Sequence, residues 1–141
     1  MALDTVRLKR VGIDDFPRLS PYFDGQPYRL CEYSLPNILI WSNELHGACA
    51  VEVDGGLLIG YESEDRKRNR HLILPVSPDR EYAPEALRDL ARAVGFDSYA
   101  LVPDDYLERF GRGRIESAFE IVHLPAYADY VYRAADLAEL P

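Results

Sequence analysis

The sequence is short of positive charge and of cysteine. Its 16 Lys and Arg residues face 24 Asp and Glu residues, which gives a formal net charge of −8. Because neutralising phosphates takes clustered basic residues, this balance argues against a protein that binds nucleic acid over its whole surface. The two cysteines, Cys31 and Cys49, lack the spacing of a disulfide framework, so we expect free, reduced thiols.

Long apolar runs are also missing. No stretch approaches the roughly 20 residues that a membrane-spanning helix needs. Residues 1–10 mix polar and charged side chains and lack the apolar segment and cleavage site of a signal peptide. We therefore expect a cytoplasmic protein that does not span a membrane. With 141 residues, 48% of them hydrophobic, the chain fits one globular domain, 1–141, that has a sizeable core.

An antiparallel meander is predicted at the centre of the chain. Residues 49–53 alternate between apolar and small or polar side chains, which is the period of a half-buried strand. Asp54-Gly55 follows, and this dipeptide supplies the positive φ angles of a tight hairpin turn. A returning strand covers residues 57–62, and a third strand, 71–74, comes after a charged loop.

Four helices and further strands are predicted around the meander. From capping residues, prolines and apolar spacing, the helices cover residues 14–20, 35–41, 84–94 and 104–110, with Asp14 and Ser34 as N-caps, Pro84 in a first turn, and Gly95 and Gly111 as stops. The further strands are predicted at residues 98–102 and 118–124, with a tyrosine-rich, strand-like segment at 127–132. The order of elements therefore predicts an α+β fold.

This order resembles the fold of the GCN5-related N-acetyltransferases, an α+β fold with a mixed sheet and helices on both faces. The resemblance implies an acyl-CoA site in a glycine-rich turn after the central strand, beside a helix N-terminus that receives the pyrophosphate. The corresponding residues here, 77–84, contain no glycine, and Asp79, Glu81 and Glu85 would repel phosphate. We therefore predict that the chain does not bind acetyl-CoA, and we expect no cofactor.

The densest basic run is a candidate contact for the phosphates of tRNA or of anionic lipids. It consists of Arg66, Lys67, Arg68 and Arg70. The alternative is a solvated hairpin loop whose charge is balanced by neighbouring carboxylates. A looser cluster formed by Arg109, Arg112 and Arg114 has the same two interpretations.

The histidines do not predict a metal or catalytic site. His46, His71 and His123 have no ligand spacing with one another or with the cysteines, and each neighbours apolar strand positions. We interpret them as structural, and no Ser-His-Asp order is present.

Two stretches resemble the family named for the C-terminal domain of phosphatidylglycerol lysyltransferase. One is residues 31–41, in which a Glu precedes a short helix that ends in Trp. The other is residues 129–140, with the pattern D-Y-x-Y-x3-D-L-x2-L. Members of that family carry two acetyltransferase-like domains in tandem. The resemblance therefore implies that this chain is the N-terminal half, with a second domain expected after Pro141.

The activity that the resemblance implies is transfer of an aminoacyl group from charged tRNA, to a lipid headgroup in the best-known branch. No catalytic residue is carried over, because the family's substrate-handling groups are expected mainly between the domains and beyond the first one, so this half is interpreted as non-catalytic. An end at Pro141 would leave an uncovered interface that favours self-association. The interface candidates are Tyr130, Tyr132, Leu137 and Leu140.

Two alternatives remain open at the level of sequence. One is a free-standing small acetyltransferase, which should have a glycine-rich acyl-CoA loop. The other is a non-catalytic interaction module that docks a partner through the end near Tyr130 or through a sheet edge. Packing against the chain's own sheet is the simpler explanation for Tyr127, Tyr130 and Tyr132.

Overall fold

The computed structural model describes residues 6–63, 70–127 and 134–139, and within them the fold is α+β. A four-stranded antiparallel sheet has the order β1-β2-β3-β4. Its strands are Lys9–Arg10 (β1), His46–Val53 (β2), Gly56–Ser63 (β3) and His71–Val76 (β4). The predicted meander is confirmed as β2, β3 and β4, and β1 adds an edge strand that pairs with Cys49 and Ala50.

The hairpin between β2 and β3 turns where the sequence predicts it. Val53 pairs with Gly56, so Asp54 and Gly55 alone form the turn. Their φ angles are 45° and 77°, which are the positive values of a tight hairpin turn. This turn fixes the register of the central pair of strands.

The centre of the sheet is buried on both faces, so the prediction of half-buried strands is wrong there. Leu57 and Ile59 of β3 belong to one apolar cluster, whereas Leu58 between them belongs to a second. Because neighbouring strand residues point to opposite faces, the two clusters lie on the two sides of the sheet. Short-period alternation fails to reveal such strands, since both sets of positions are apolar.

The helices of the described residues are Phe16–Leu19 (α1), Leu35–Trp41 (α2), Pro84–Val94 (α3), Asp104–Phe110 (α4), Arg112–Glu116 (α5) and Ala134–Ala138 (α6). Helices α1 to α5 contribute side chains to these two clusters, whereas the described side chains of α6 are exposed. Short 3₁₀ turns cover Ile13–Asp15, Ser20–Phe23, Cys31–Tyr33 and Pro125–Tyr127. The predicted N-cap Ser34 and end of α2, the bounds of α3 and the end of α4 at Gly111 are confirmed, and Gly95 has the expected left-handed φ of 74°. Asp104 and Asp105 do not cap α4 but form its first turn, and Pro103 is its N-cap.

The first helical region begins differently from the prediction. Gly12, not Asp14, is its N-cap. The Asp15 carboxylate accepts the Gly12 N–H at 2.9 Å, and the Asp15 N–H donates to the Gly12 carbonyl at 3.0 Å. The second aspartate therefore closes the turn from inside, as the acidic residue of a capping box does.

Two of the predicted strands are not formed as expected. Residues 98–102 contribute only an isolated parallel bridge, between Tyr99 and Leu72. Residues 118–124 form no strand, and Val122 and Leu124 are exposed. Alternating side chains are necessary for an amphipathic strand, but they do not supply a neighbouring strand to pair with. Of the segment 127–132, only Tyr127 lies within the described residues, in a 3₁₀ turn.

Candidate functional site

The first place to look for a site is the end of β4. After β4 the chain forms α3 and then returns parallel to β4, where the Leu72 N–H donates to the Ser98 carbonyl at 2.9 Å and the Ala100 N–H to the Leu72 carbonyl at 2.8 Å. Ligands of strand–helix–strand units bind beyond the carboxyl ends of the parallel strands. In this chain that position lies beside Val76, the loop 77–83 and the start of α3.

β4 bulges near this end. Leu57 pairs with Val76 but Ile59 pairs with Ile73, so β4 has one extra residue between them. Pro75 lies in the bulge, where its missing N–H does not break the ladder.

Tyr33 fills the opening between β4 and the returning chain. Its hydroxyl accepts the Leu74 N–H at 3.2 Å and donates to the Leu101 carbonyl at 3.1 Å, and its side chain is only 2% exposed. Leu101 has a φ of 56°, an uncommon value for a residue with a side chain. The Tyr33 hydroxyl therefore bonds the Leu74 N–H and the Leu101 carbonyl, which do not bond each other because the two chain segments diverge here.

The loop 77–83 is anchored onto the hairpin turn. The buried Ser77 hydroxyl donates to the Gly55 carbonyl and accepts the Asp79 N–H, each at 3.3 Å. The Tyr82 hydroxyl donates to the Val53 carbonyl at 2.8 Å. This loop therefore packs against its own sheet instead of wrapping around an open space.

More tyrosines close the same end. The Tyr106 hydroxyl donates to the Tyr82 carbonyl at 2.6 Å, and Arg109 holds Glu81 through two hydrogen bonds of 2.8 and 2.6 Å. Burial, helped by the nearby Glu81 charge, raises the pKa of Tyr28. No pattern in the sequence predicts this tyrosine cluster, because its members are far apart along the chain and only the fold brings them together.

The start of α3 already holds a carboxylate, that of Glu85, paired with an arginine. Arg114 binds the Glu85 carboxylate through two hydrogen bonds of 2.9 Å, which lowers the pKa of Glu85, and the backbone N–H of Glu85 itself lowers it further. A carboxylate therefore lies where the helix N-terminus would attract the phosphate of a nucleotide.

The predicted phosphate contacts are only partly described. Arg66, Lys67 and Arg68 lie outside the described residues. Arg70 has its Nε at 3.1 Å from Glu62, donates from Nη1 to the Gly95 carbonyl at 2.7 Å, and lies 4.0 Å from the centre of the Phe96 ring. A phosphate would have to compete with these contacts, which tie the start of β4 to the end of α3.

The looser arginine cluster is paired with carboxylates throughout. Arg109 binds Glu81, Arg112 binds Glu116 and Arg114 binds Glu85, each at 2.9 Å or less. The three guanidinium groups are therefore partly neutralised, and the structure favours the solvated interpretation of this cluster.

Most of the predicted interface residues lie outside the residues that the structure describes. Tyr130, Tyr132 and Leu140 are outside the described residues, and Leu137 lies in α6 with its side chain also outside them. Their role at an interface stays a prediction.

An aromatic row crosses the opposite end of the sheet. The ring of Tyr61 lies 6.1 Å from that of His46 and 5.3 Å from that of His71. Burial, with a smaller contribution from the charge of Glu32, raises the pKa of Tyr61 to about 12. The Asp54-Gly55 turn sets a register in which Ala48 pairs with Tyr61. His46 lies two residues before Ala48 on the same face of β2, so the position of the turn alone predicts that His46 and Tyr61 are neighbours. Within the described ranges, no three His, Cys, Asp or Glu residues are grouped to hold a metal ion.

An exposed apolar group lies at the end of α2. The side chains of Ile40, Trp41 and Leu45 are 76%, 70% and 65% exposed. Isolated exposed apolar residues are ordinary, but three within six positions of one chain segment form a possible contact surface.

No protein-family model matches the chain, and no curated protein or solved structure is significantly similar to it. Among the helices of the described residues, none is both long and apolar enough to cross a membrane. A functional assignment therefore depends on the site geometry and on the resemblance of residues 31–41 and 129–140.

Proposed function

We propose that this chain is the non-catalytic, acetyltransferase-like half of an aminoacyl-tRNA-dependent aminoacyltransferase of the phosphatidylglycerol lysyltransferase type. The antiparallel meander, the helix α3 and the isolated parallel bridge at Tyr99 support an acetyltransferase-like order of elements. The observation that carries the non-catalytic assignment is Tyr33, whose hydroxyl occupies the opening between Leu74 and Leu101.

Binding an acyl donor at this end would require several favourable contacts to be broken. Tyr33 would have to leave the buried Leu74 N–H unsatisfied, at a cost of about 1–3 kcal/mol, and would also release the partly buried Leu101 carbonyl. The pyrophosphate would then meet the carboxylates of Glu81 and Glu85, both already held by arginines. This end is therefore suited to stability, not to donor binding.

Calorimetry with acetyl-CoA tests the non-catalytic assignment. We expect no heat of binding to the wild-type chain. The matched variants are Arg80→Glu in the loop and Arg88→Glu on α3, which make the same charge change at two exposed positions. Micromolar binding that Arg80→Glu abolishes and Arg88→Glu retains would overturn the assignment.

The tRNA part of the proposal rests on the basic run before β4. Replacing Arg66, Lys67 and Arg68 together with Gln should weaken binding of charged tRNA and lower the salt slope by about two to three units, since each lost phosphate contact lowers it by roughly one. A triple variant with an unchanged gel-shift affinity and salt slope would remove tRNA contact from this loop. The triple variant Arg80→Gln/Arg88→Gln/Arg92→Gln removes the same number of positive charges elsewhere and is the control for net charge.

A second candidate function is a non-catalytic interaction module. It is favoured by the exposure of Ile40, Trp41 and Leu45, which no part of the chain that the structure describes covers. In that case the end of α2, rather than the end near Tyr130, would contact the partner.

A further inference from the structure

A cleft lies at the β1 edge of the sheet, away from the closed end of β4. Its volume is about 280 Å³. The lining residues are Arg7, Lys9, Arg18, Ala50, Val51, Glu52 and Leu57. The backbone of β1 places Lys9 beside Ala50, and Arg7 precedes it by two residues, so both follow the same edge of the sheet.

The charges of this cleft are not balanced. Arg18 is paired with Asp15 at 2.9 Å and with Glu52 at 3.2 Å. Arg7 and Lys9, by contrast, form no salt bridge with any carboxylate of residues 6–63, 70–127 or 134–139. Lack of a salt bridge is not confined to this cleft, because Arg10, Arg29 and Arg92 also form none with a carboxylate of the described residues; none of these three lines the cleft. The arginines with a carboxylate partner are Arg18, Arg70, Arg80, Arg88, Arg109, Arg112 and Arg114.

Arg7 and Lys9 line one cleft without a carboxylate partner among the described residues, and a bound anion would supply the missing opposite charge. Glu52 does not supply this compensation in full, since its carboxylate already faces Arg18. Burial is the main cause, and hydrogen bonding to Glu52 the second, of the raised pKa of Tyr22. The Glu52 carboxylate therefore also interacts with the Tyr22 phenol.

We propose that this cleft binds the phosphate group of a small phosphomonoester. Such a group carries a charge of about −1.5 to −2 at neutral pH. This charge matches Arg7 and Lys9, the two cations of the cleft that have no carboxylate partner among the described residues. The cleft is at the small end of ligand pockets, which hold roughly 300–1,000 Å³. An extended nucleic acid carries one charge per phosphate and needs an open track, so it fits less well.

The test is an NMR titration of the full chain with glycerol 3-phosphate, with glycerol as the uncharged control. We expect saturable shifts of the amides of Arg7, Lys9 and residues 50–52, with a dissociation constant on the order of 1 mM. Binding should weaken between about pH 8 and about pH 5, because the phosphate takes up its second proton near pH 6. Glycerol should cause no shift.

Two double variants separate this site from general attraction of an anion. Arg7→Gln/Lys9→Gln should weaken binding by at least about tenfold, since two charge-assisted contacts are lost. Arg88→Gln/Arg92→Gln on α3 makes the same change in net charge and should leave binding unchanged. Equal melting temperatures of both variants and the wild type confirm that the comparison concerns binding. If the melting temperatures differ, protection of the β1 amides from hydrogen exchange shows whether β1 is still paired with β2.

Vesicles that contain phosphatidic acid distinguish a lipid headgroup from a soluble ester. Residue-specific binding to either source supports the proposal and assigns the source. The proposal is overturned by an absence of saturable shifts with both sources, by an equal loss in the two double variants, or by tighter binding of a single-stranded oligonucleotide to the same residues.

Discussion

The two ends of this molecule treat polar groups in opposite ways. At the end of β4, hydroxyls and carboxylates face other groups of the protein, as Tyr33 does between Leu74 and Leu101. At the β1 edge, Arg7 and Lys9 face a solvent-filled cleft. In the parts of the chain that the structure describes, no buried side-chain nitrogen or oxygen lacks a hydrogen-bond partner. The closed end therefore contributes stability, and recognition is to be sought at the open edge.

The largest effect is expected from opening the closed end. Tyr33→Ala should lower the free energy of unfolding by about 3–5 kcal/mol, because it removes a buried aromatic ring. Tyr33→Phe should cost about 1–3 kcal/mol, since it leaves the Leu74 N–H and the Leu101 carbonyl without a partner. Urea denaturation measures both changes. Tyr22→Phe, at a half-buried tyrosine outside this cluster, is the matched control and should cost less. Equal costs for the two Phe variants would show that Tyr33 does not hold the opening closed.

The hairpin turn beneath Tyr82 should show the next largest effect. A Cβ at Gly56 would lie within van der Waals overlap of the Tyr82 hydroxyl, and Gly55 has a φ of 77°. We expect Gly56→Val and Gly55→Val each to destabilise the protein by about 1 kcal/mol or more, for a steric and a conformational reason respectively. Chemical denaturation decides the question, and an unchanged midpoint for both variants would contradict the turn.

Gly113→Ala is the control for these two glycine variants. Gly113 lies in α5, and a Cβ there has nothing within 4 Å. Because alanine is the better helix former, this change should raise stability by about 0.5–1 kcal/mol. A loss of stability would show that glycine substitution is harmful for reasons unrelated to φ or to close contacts.

Alkaline pH should lower the stability of the folded protein through tyrosines whose pKa is raised by burial. The pKa of Tyr61 is raised to about 12, chiefly by burial, above the value of about 10 for an unfolded chain. The folded state then holds protons that the unfolded state releases. Stability from this group is therefore fully present below about pH 10 and is lost as the pH rises through 12. The same direction holds for Tyr28, Tyr33, Tyr99 and Tyr106.

Urea midpoints measured at rising pH test this expectation, together with the absorbance of the phenolate. Tyr61→Phe should make the alkaline fall in stability shallower. A midpoint that stays constant from about pH 9 to about pH 12 would mean that the tyrosines titrate equally in the folded and unfolded chains.

The sequence predicted local structure better than it predicted contacts. The Asp54-Gly55 turn, Pro84 at the start of α3 and Gly95 after its end each have a backbone requirement that one or two residues meet. The closed end had no such signature. Tyr33 is brought to Leu74 and Leu101 only because β4 bulges and the returning chain diverges from it, and both events depend on the whole sheet.

The strand predicted at residues 118–124 shows that a correct local pattern is not sufficient without a partner strand. Its alternation of apolar and polar residues was real, but Val122 and Leu124 remain exposed because no described strand lies beside them. The basic cleft was missed for a related reason. Arg7 and Lys9 are separated from Arg18 and Glu52 in the sequence, and the antiparallel pairing of β1 with β2 brings them together.

The smallest effect on folding is expected at the exposed end of α2. Trp41→Ser and Ile40→Ser should each change the free energy of unfolding by less than about 0.5 kcal/mol, because both side chains are largely in water already.

Association is a separate expectation for the same molecule. From the resemblance we expect concentration-dependent self-association through residues 130–140, whereas exposed Trp41 offers a second possible contact. Sedimentation velocity over a concentration range of about a hundredfold separates these surfaces. If association is lost in Tyr130→Ser and kept in Trp41→Ser, the segment 130–140 forms the contact, and the reverse result assigns it to α2. Trp41 is the single tryptophan of the chain, so its emission also reports directly whether this surface becomes covered. A monomer throughout, with a water-exposed Trp41 emission, would contradict self-association through either surface.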